Sequence, residues 1–283
     1  MIDVAAVEAL VGATSTGIDR LGGGDVAQSF RVRFDDGSAV FAKTHHDPPP
    51  HFFSTEAAGL AWLRDGVDGA ALSVPEVIGC SDEPPLLVLS WVDQSGAATA
   101  DEAAVGRALA DLHRSGAPCF GREDRRTTGS RRLPNDPCSS WVEFYAERRL
   151  RPLARLAGDT AALPPAAVTA IEDVADRLDQ VGGPAEPPAR LHGDLWAGNR
   201  IVDRDGRSWL IDPAAHGGHR EFDLAMMRLF GGFGPACFAA YQEASPLADG
   251  WEDRVALHQL APLIVHAGPK PPNSRIMDRS NSL

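Results

Sequence analysis

His192, Asp194 and Asn199 are packed into eight residues of a 283-residue chain. After them come the apolar pair Ile201-Val202, the polar turn Asp203-Arg204-Asp205-Gly206, and a second apolar run, Trp209 to Ile211, that ends on Asp212. The pattern predicts a loop, a β-hairpin with a glycine-containing turn, and a carboxylate at the exit of the second strand. One carboxylate able to meet a hydroxyl proton, with an amide and a second carboxylate able to hold a hard cation, is the donor set for phosphoryl transfer from a nucleoside triphosphate. On this reading Asp194 is the general base, and Asn199 and Asp212 are the magnesium ligands. A lone Asp before an apolar residue is ordinarily a turn or cap, and a lone His near a strand is ordinarily structural. The order of the residues and the hairpin between them favour the chemical reading.

The eight residues His192-Gly193-Asp194-Leu195-Trp196-Ala197-Gly198-Asn199 match the kinase catalytic-loop pattern H-R-D-L-x-x-x-N, with Gly for the loop Arg. Asp212-Pro213-Ala214 stands where protein kinases carry Asp-Phe-Gly. That loop Arg usually answers to a phosphorylated activation segment, so its absence points to a small-molecule kinase that is always on.

A triphosphate also needs a cradle. Gly22-Gly23-Gly24 lie between two predicted strands, where a backbone without side chains can approach phosphate oxygens. Lys43 closes the next strand, Phe41-Ala42-Lys43, as the lysine that reaches the α- and β-phosphates. Glu56, near the start of the helix predicted after Phe53, is the carboxylate expected to hold Lys43, with Ser54 or Thr55 as the cap. Val74 to Ile78 and Leu86 to Leu89 complete a five-stranded antiparallel sheet. Ser90-Trp91-Val92 then form a hinge whose backbone would bond adenine, with Trp91 or Val92 over its face. The lobe boundary is placed near residue 93, giving an ATP-binding lobe (1–93), a catalytic and substrate lobe (94–267) and a polar tail (268–283).

The rest of the chain must position these groups. Helical spacing is predicted over residues 2–12, 102–113, 166–180, 224–230 and 251–267, with a further amphipathic helix from Ser140. Asp223 is read as a helix cap or as a support bonded to the catalytic-loop backbone, and not as catalytic. The long polar segment before Pro137 carries Arg122, Arg125, Arg126, Arg131 and Arg132, a solvated charge run or a lid toward the phosphate.

Composition narrows the class. A content of 43% hydrophobic and 23% charged residues is ordinary for a soluble enzyme. The net charge of -12 argues against a nucleic-acid binder. Four widely spaced cysteines suggest neither a zinc site nor a disulfide framework. The first residues lack a positive n-region, and no apolar run could span a bilayer, so a cytoplasmic protein with no membrane contact, acting as a monomer, is expected.

With these residues assembled, the chain resembles the fructosamine kinase (ketosamine-3-kinase) family within the aminoglycoside phosphotransferase-like kinases. The resemblance rests on residues 192–199, on Ile211 to Ala214, on Gly218-His219-Arg220-Glu221-Phe222-Asp223-Leu224-Ala225-Met226, and on Trp141 to Pro152. It implies an α+β, two-lobed, protein-kinase-like fold with a small lobe of five antiparallel strands plus a helix and a mainly helical large lobe. The implied activity is ATP- and Mg2+-dependent phosphorylation of the 3-hydroxyl of ribulosamine, erythrulosamine or fructosamine adducts, in deglycation. Trp196 would then offer an aromatic face to the sugar. Ser90 stands where the family more often has Glu, which leaves adenine to the hinge backbone. Residues from Gly268 onward depart from the family's Gly- and aromatic-bearing final helix. The competing expectations are an aminoglycoside- or choline-type phosphotransferase, or a catalytically impaired nucleotide-binding member.

Overall fold

The computed structural model describes residues 2–22, 27–94, 99–124, 127–128 and 133–268. The chain runs through α1 (Val4–Val11), β1 (Ser15–Leu21), β2 (Gln28–Phe34), β3 (Ala39–Thr44), α2 (Phe52–Arg64), β4 (Leu72–Ser73), β5 (Val77–Asp82) and β6 (Pro85–Ser90). It continues with α3 (Glu102–Arg114), β7 (Thr127–Thr128), β8 (Leu133–Pro134), α4 (Trp141–Tyr145), a π turn (Ala146–Leu150), α5 (Arg151–Asp159), α6 (Pro165–Asp176), α7 (Leu178–Val181) and β9 (Ala189–Leu191). A 3-10 turn (Ala197–Asn199), β10 (Arg200–Val202), β11 (Ser208–Leu210), β12 (His216–Gly218), α8 (Glu221–Phe230), α9 (Pro235–Ala244) and α10 (Trp251–Ala267) complete it.

These elements group into two compact units. The first holds Met1–Ser54 and Val77–Trp91, the second Thr55–Glu76 and Val92–Gly268. The sequence placed all of residues 1–93 in one lobe. By contacts the chain passes between units at Trp91–Val92, but Thr55–Glu76 group with the second unit, so the division cuts through α2.

The first unit is an antiparallel sheet in the order β1-β2-β3-β6-β5. Its core follows the two-residue period of a half-buried strand. Phe30, Val32 and Phe34 of β2, Val40 and Ala42 of β3, and Leu86 and Val88 of β6 pack with Ile2 and Val7 beside them. Asp3 caps α1, its Oδ1 accepting the Ala6 N–H at 3.0 Å. The strand expected over Val74 to Ile78 begins only at Val77, because Pro75 has no N–H for a ladder. Just upstream, Leu72 and Ser73 pair in parallel with Ser208 and Trp209 of β11 in the second unit's own sheet.

Helix α2 starts at Phe52, so Ser54 and Thr55 are helical residues and not caps. The Phe52 N–H bonds back to the Pro49 carbonyl, so the turn that opens the helix forms directly behind the proline run. The core of the second unit gathers Phe144, Tyr145, Leu150, Leu153, Leu178, Leu191, Phe222 and Met226. Ser140 caps α4 by accepting the Glu143 N–H at 3.2 Å. The helix predicted over 166–180 is broken at Arg177, whose φ of -114° and ψ of 13° leave helical geometry. The helix predicted from Leu224 starts earlier, at Glu221, which places Asp223 inside its first turn. No helix among the described residues is long and apolar enough to cross a membrane. All four cysteines are free thiols.

Candidate active site

The candidate catalytic loop leaves β9 at His192 and is shaped by one buried carboxylate. Asp223 accepts the His192 N–H at 2.7 Å and the Gly193 N–H at 2.9 Å. His113 Nε2 lies 3.3 Å from the same carboxylate, and its Nδ1 lies 2.8 Å from the Tyr241 hydroxyl. Asp223 is fully enclosed, and burial alone would raise its pKa, yet the His113 hydrogen bond and the nearby imidazoles hold it below the usual carboxylate range. Of the two roles the sequence left open for Asp223, the structure shows the support of the loop. Gly193 turns the loop with φ of +80°, and a Cβ there would lie 2.2 Å from the Ala214 carbonyl oxygen. Only glycine fits.

His192 links the loop to the hairpin. Its Nδ1 accepts the Asp194 N–H at 3.2 Å, so its Nε2 carries the proton and donates to the Ile211 carbonyl at 3.0 Å. The Ile211 N–H in turn donates to the Asn199 carbonyl at 3.1 Å. Ile211 is therefore gripped at both ends, and this sets the next residue, Asp212, beside the loop. Asp212 adopts φ of +52°, uncommon for a non-glycine residue.

Asn199 Nδ2 donates to both the backbone oxygen and Oδ2 of Asp194, each at 2.9 Å. The amide is thereby oriented with Oδ1 as its oxygen donor. Burial raises the Asp194 pKa above its ordinary value; the His192 imidazole and the Asn199 hydrogen bond oppose this, and the Asp212 carboxylate adds to it. Asp194, Asn199 and Asp212 are thus one electrostatically coupled group in the second unit. An amide oxygen and a carboxylate are hard oxygen donors of the kind magnesium takes, so the donor set fits that ion.

Trp196 follows the loop, 36% exposed, with its indole against Gly198. Its ring meets Phe230 edge-on at 5.8 Å, and Phe230 in turn lies 4.8 Å from the His266 ring. Neither Phe230 nor His266 was marked by the sequence as a site residue. They end two helices far apart in the chain, and no local pattern announces that they meet beside Trp196.

The remaining candidates are placed as follows. Gly22 follows the end of β1, while Gly23 and Gly24 lie outside the described residues. Lys43 is buried within β3, opposite Ser29 and Leu87. Ser90 ends β6, and the Trp91 ring carries the Arg31 guanidinium 4.5 Å from its centroid. Glu56, on α2, and Val92 belong to the second unit. Arg122 is not part of a solvated run. It is 7% exposed, bonds Asp124 at 2.8 and 2.6 Å, and lies over the Trp62 ring. Arg125, Arg126, Arg131 and Arg132 lie outside the described residues.

A second polar grouping, His219, Glu221 and His258, brings possible ligand atoms within 4.8 Å of one another. Both Glu221 oxygens already accept from Arg254, at 2.9 and 2.6 Å, and Trp141 covers both imidazoles. The grouping reads as a desolvated ion pair that ties α8 to α10.

A five-stranded antiparallel sheet, a mainly helical second unit, and a hairpin that carries an Asp, Asn and Asp set define a protein-kinase-like phosphotransferase. Residues 4–268 match the fructosamine kinase family, and the chain belongs to it. A protein of Enterococcus faecium named a probable ketoamine kinase is 35% identical over 250 residues, covering 86% of each chain. The chloroplastic protein-ribulosamine 3-kinase of Arabidopsis thaliana is 32% identical, covering 89% of this chain and 77% of its own. The crystal structure of a candidate fructosamine-3-kinase from Thermobifida fusca superposes with a TM-score of 0.85 at 40% identity, covering 93% of this chain and 91% of that one.

Proposed function

We propose that this chain transfers the γ-phosphoryl group of ATP to the 3-hydroxyl of a ketosamine. The observation that carries the reading is the grip on Ile211, which sets Asp212 beside Asp194 and Asn199. Family membership supports ATP as the donor and a ketosamine as the acceptor.

In this reading Asp194 orients the acceptor hydroxyl and takes its proton as the phosphoryl group is transferred. Burial raises its pKa, which makes the carboxylate a stronger base than an exposed one. Asn199 Oδ1 and the Asp212 carboxylate would hold magnesium, which when bound neutralises charge on the phosphate oxygens. Gly22, Gly23, Gly24 and Lys43 serve the phosphates, and Glu56 is assigned to nucleotide binding with them. The backbone at Ser90, Trp91 and Val92 serves adenine, and Trp196 offers its exposed face to the sugar. The phosphorylated adduct is unstable and comes apart, which is how such an enzyme would act in deglycation.

Purified protein incubated with ATP, magnesium and synthetic ribulosamine, erythrulosamine or fructosamine should release ADP in step with ketosamine 3-phosphate. ADP release that responds to aminoglycosides or choline, and to no ketosamine, would overturn the acceptor assignment.

A further inference from the structure

The residue that follows Asn199 is Arg200, and all three of its guanidinium nitrogens are engaged. Nε donates to Ser208 Oγ at 3.0 Å, Nη1 to the Gly232 carbonyl at 2.6 Å, and Nη2 to Glu102 Oε1 at 2.7 Å. The Arg200 side chain is 5% exposed, and its guanidinium lies 4.6 Å from the centre of the Phe233 ring. Glu102, at the start of α3, uses its other oxygen to accept the Gly234 N–H at 2.9 Å. Two charged side chains thus hold both ends of the segment Gly232-Phe233-Gly234 that joins α8 to α9.

That segment is pressed against the catalytic loop. At Gly232, where φ is +99°, a Cβ would lie 2.4 Å from Ala197 Cα and 2.7 Å from Ala197 N. Ala197 opens the 3-10 turn that ends on Asn199. The turn is therefore held from two directions: Arg200 ties its end to the segment, and the segment bears on its beginning. Phe230, two residues before Gly232, adds the edge contact to Trp196.

We propose that Glu102 and Arg200 form a positioning clamp that fixes Asn199 relative to Asp194 and Asp212. Neither residue touches the reacting atoms. The clamp acts through the backbone of residues 197–200, and it rests on the assignment of Asn199 as a magnesium ligand. An Arg is suited to this place because its planar fork spreads donors over three nitrogens that meet three separate acceptors, whereas a lysine's three donors share a single nitrogen. A pair of a buried Arg and a half-buried Glu is weak grounds for a role in stability alone, since desolvation offsets much of the attraction.

The test compares the parent protein with Arg200→Lys and with Glu102→Gln, a milder change that keeps the shape and one acceptor. Two quantities are read: magnesium-dependent ATP binding by calorimetry, and kcat with KM for the ketosamine. The expected result is an apparent magnesium requirement raised by about fivefold or more and a kcat lowered by about tenfold, the scale of a small misplacement of a reacting group. The ketosamine KM should stay within about twofold and Arg200→Lys should be the more severe, as the loss of forked geometry requires. Variants whose melting temperature falls while the magnesium requirement and kcat of the folded fraction match the parent would overturn the clamp. A parent that binds ATP equally with and without magnesium would instead sink the assignment of Asn199, and the clamp with it. Absence of ketosamine turnover with magnesium-dependent ATP binding intact would overturn only the acceptor reading, and the binding measurement would still decide the clamp.

Discussion

Asp223 and Gly193 meet through a single 2.9 Å hydrogen bond from the glycine N–H to the buried carboxylate. Its other oxygen takes the adjacent His192 N–H, so one side chain fixes the direction in which the catalytic loop leaves the sheet. An Asp223→Asn change would place an amide NH2 against at least one backbone donor. The expected cost is about 3 kcal/mol of stability, the scale of an unsatisfied group in a buried charged network. Urea denaturation measures it. A loss below about 0.5 kcal/mol, the noise of a surface substitution, would show that the loop does not depend on this carboxylate.

Asp194→Asn removes the proposed base with little change in shape. It should lower kcat by about a hundredfold or more while ATP affinity stays within a few-fold. Because burial raises the Asp194 pKa, the parent should lose activity as pH falls through a value above the ordinary 3.8 for a carboxylate. A profile of kcat/KM against pH measures this. An acidic limb at or below that ordinary value would contradict the raised pKa.

Asp212→Ala and Asn199→Ala should each abolish the gain in ATP affinity that magnesium brings, without unfolding the chain. Isothermal titration with and without magnesium decides it. Persistence of the gain in both variants would remove these residues as metal ligands.

Trp196→Ala should raise the ketosamine KM by about tenfold with KM for ATP unchanged, while Trp196→Phe should keep most of the affinity, as an aromatic face requires. Steady-state kinetics with each substrate varied in turn would show it. Equal effects on both substrates would assign Trp196 to packing under the loop.

Acid should unfold this protein from the histidine side first. Burial holds His219 down to about 4 and His216 down to about 3, both from an ordinary 6.5, so each is neutral in the folded chain at pH 6. Below pH 6.5 the unfolded chain takes up protons that the folded chain does not, and stability falls as pH drops toward those folded values. Glu221 adds a later loss. Burial opposes its ionisation, but the His258 ring and Arg254 hold it down to about 2, so its stabilisation is present above its ordinary 4.5 and lost as pH falls toward 2. The urea midpoint should decline already between pH 7 and pH 5. A flat midpoint over that range would contradict the neutral histidines.

Much of the layout of the candidate site was legible in the chain because it is local. His192, Asp194 and Asn199 sit on one loop, and the hairpin that returns Asp212 is encoded by two short apolar runs around Asp203-Arg204-Asp205-Gly206. Spacing alone dictates such a layout. The five strands of the first unit were legible for the same reason, since β2 alternates in burial and β6 is a short continuous apolar run. Tertiary packing decided what spacing could not. Of its two possible roles, cap or support, Asp223 takes the support of the loop because α8 begins a turn early and buries it against His113, a residue of α3. Arg122 left the expected charge run because Trp62 and Asp124 gather around it. Phe230, His266 and Glu102 reached the neighbourhood of the loop from three separate helices, and packing alone brought Glu102 to Arg200. Contacts between distant segments depend on how helices stack, and a one-dimensional pattern carries no term for that.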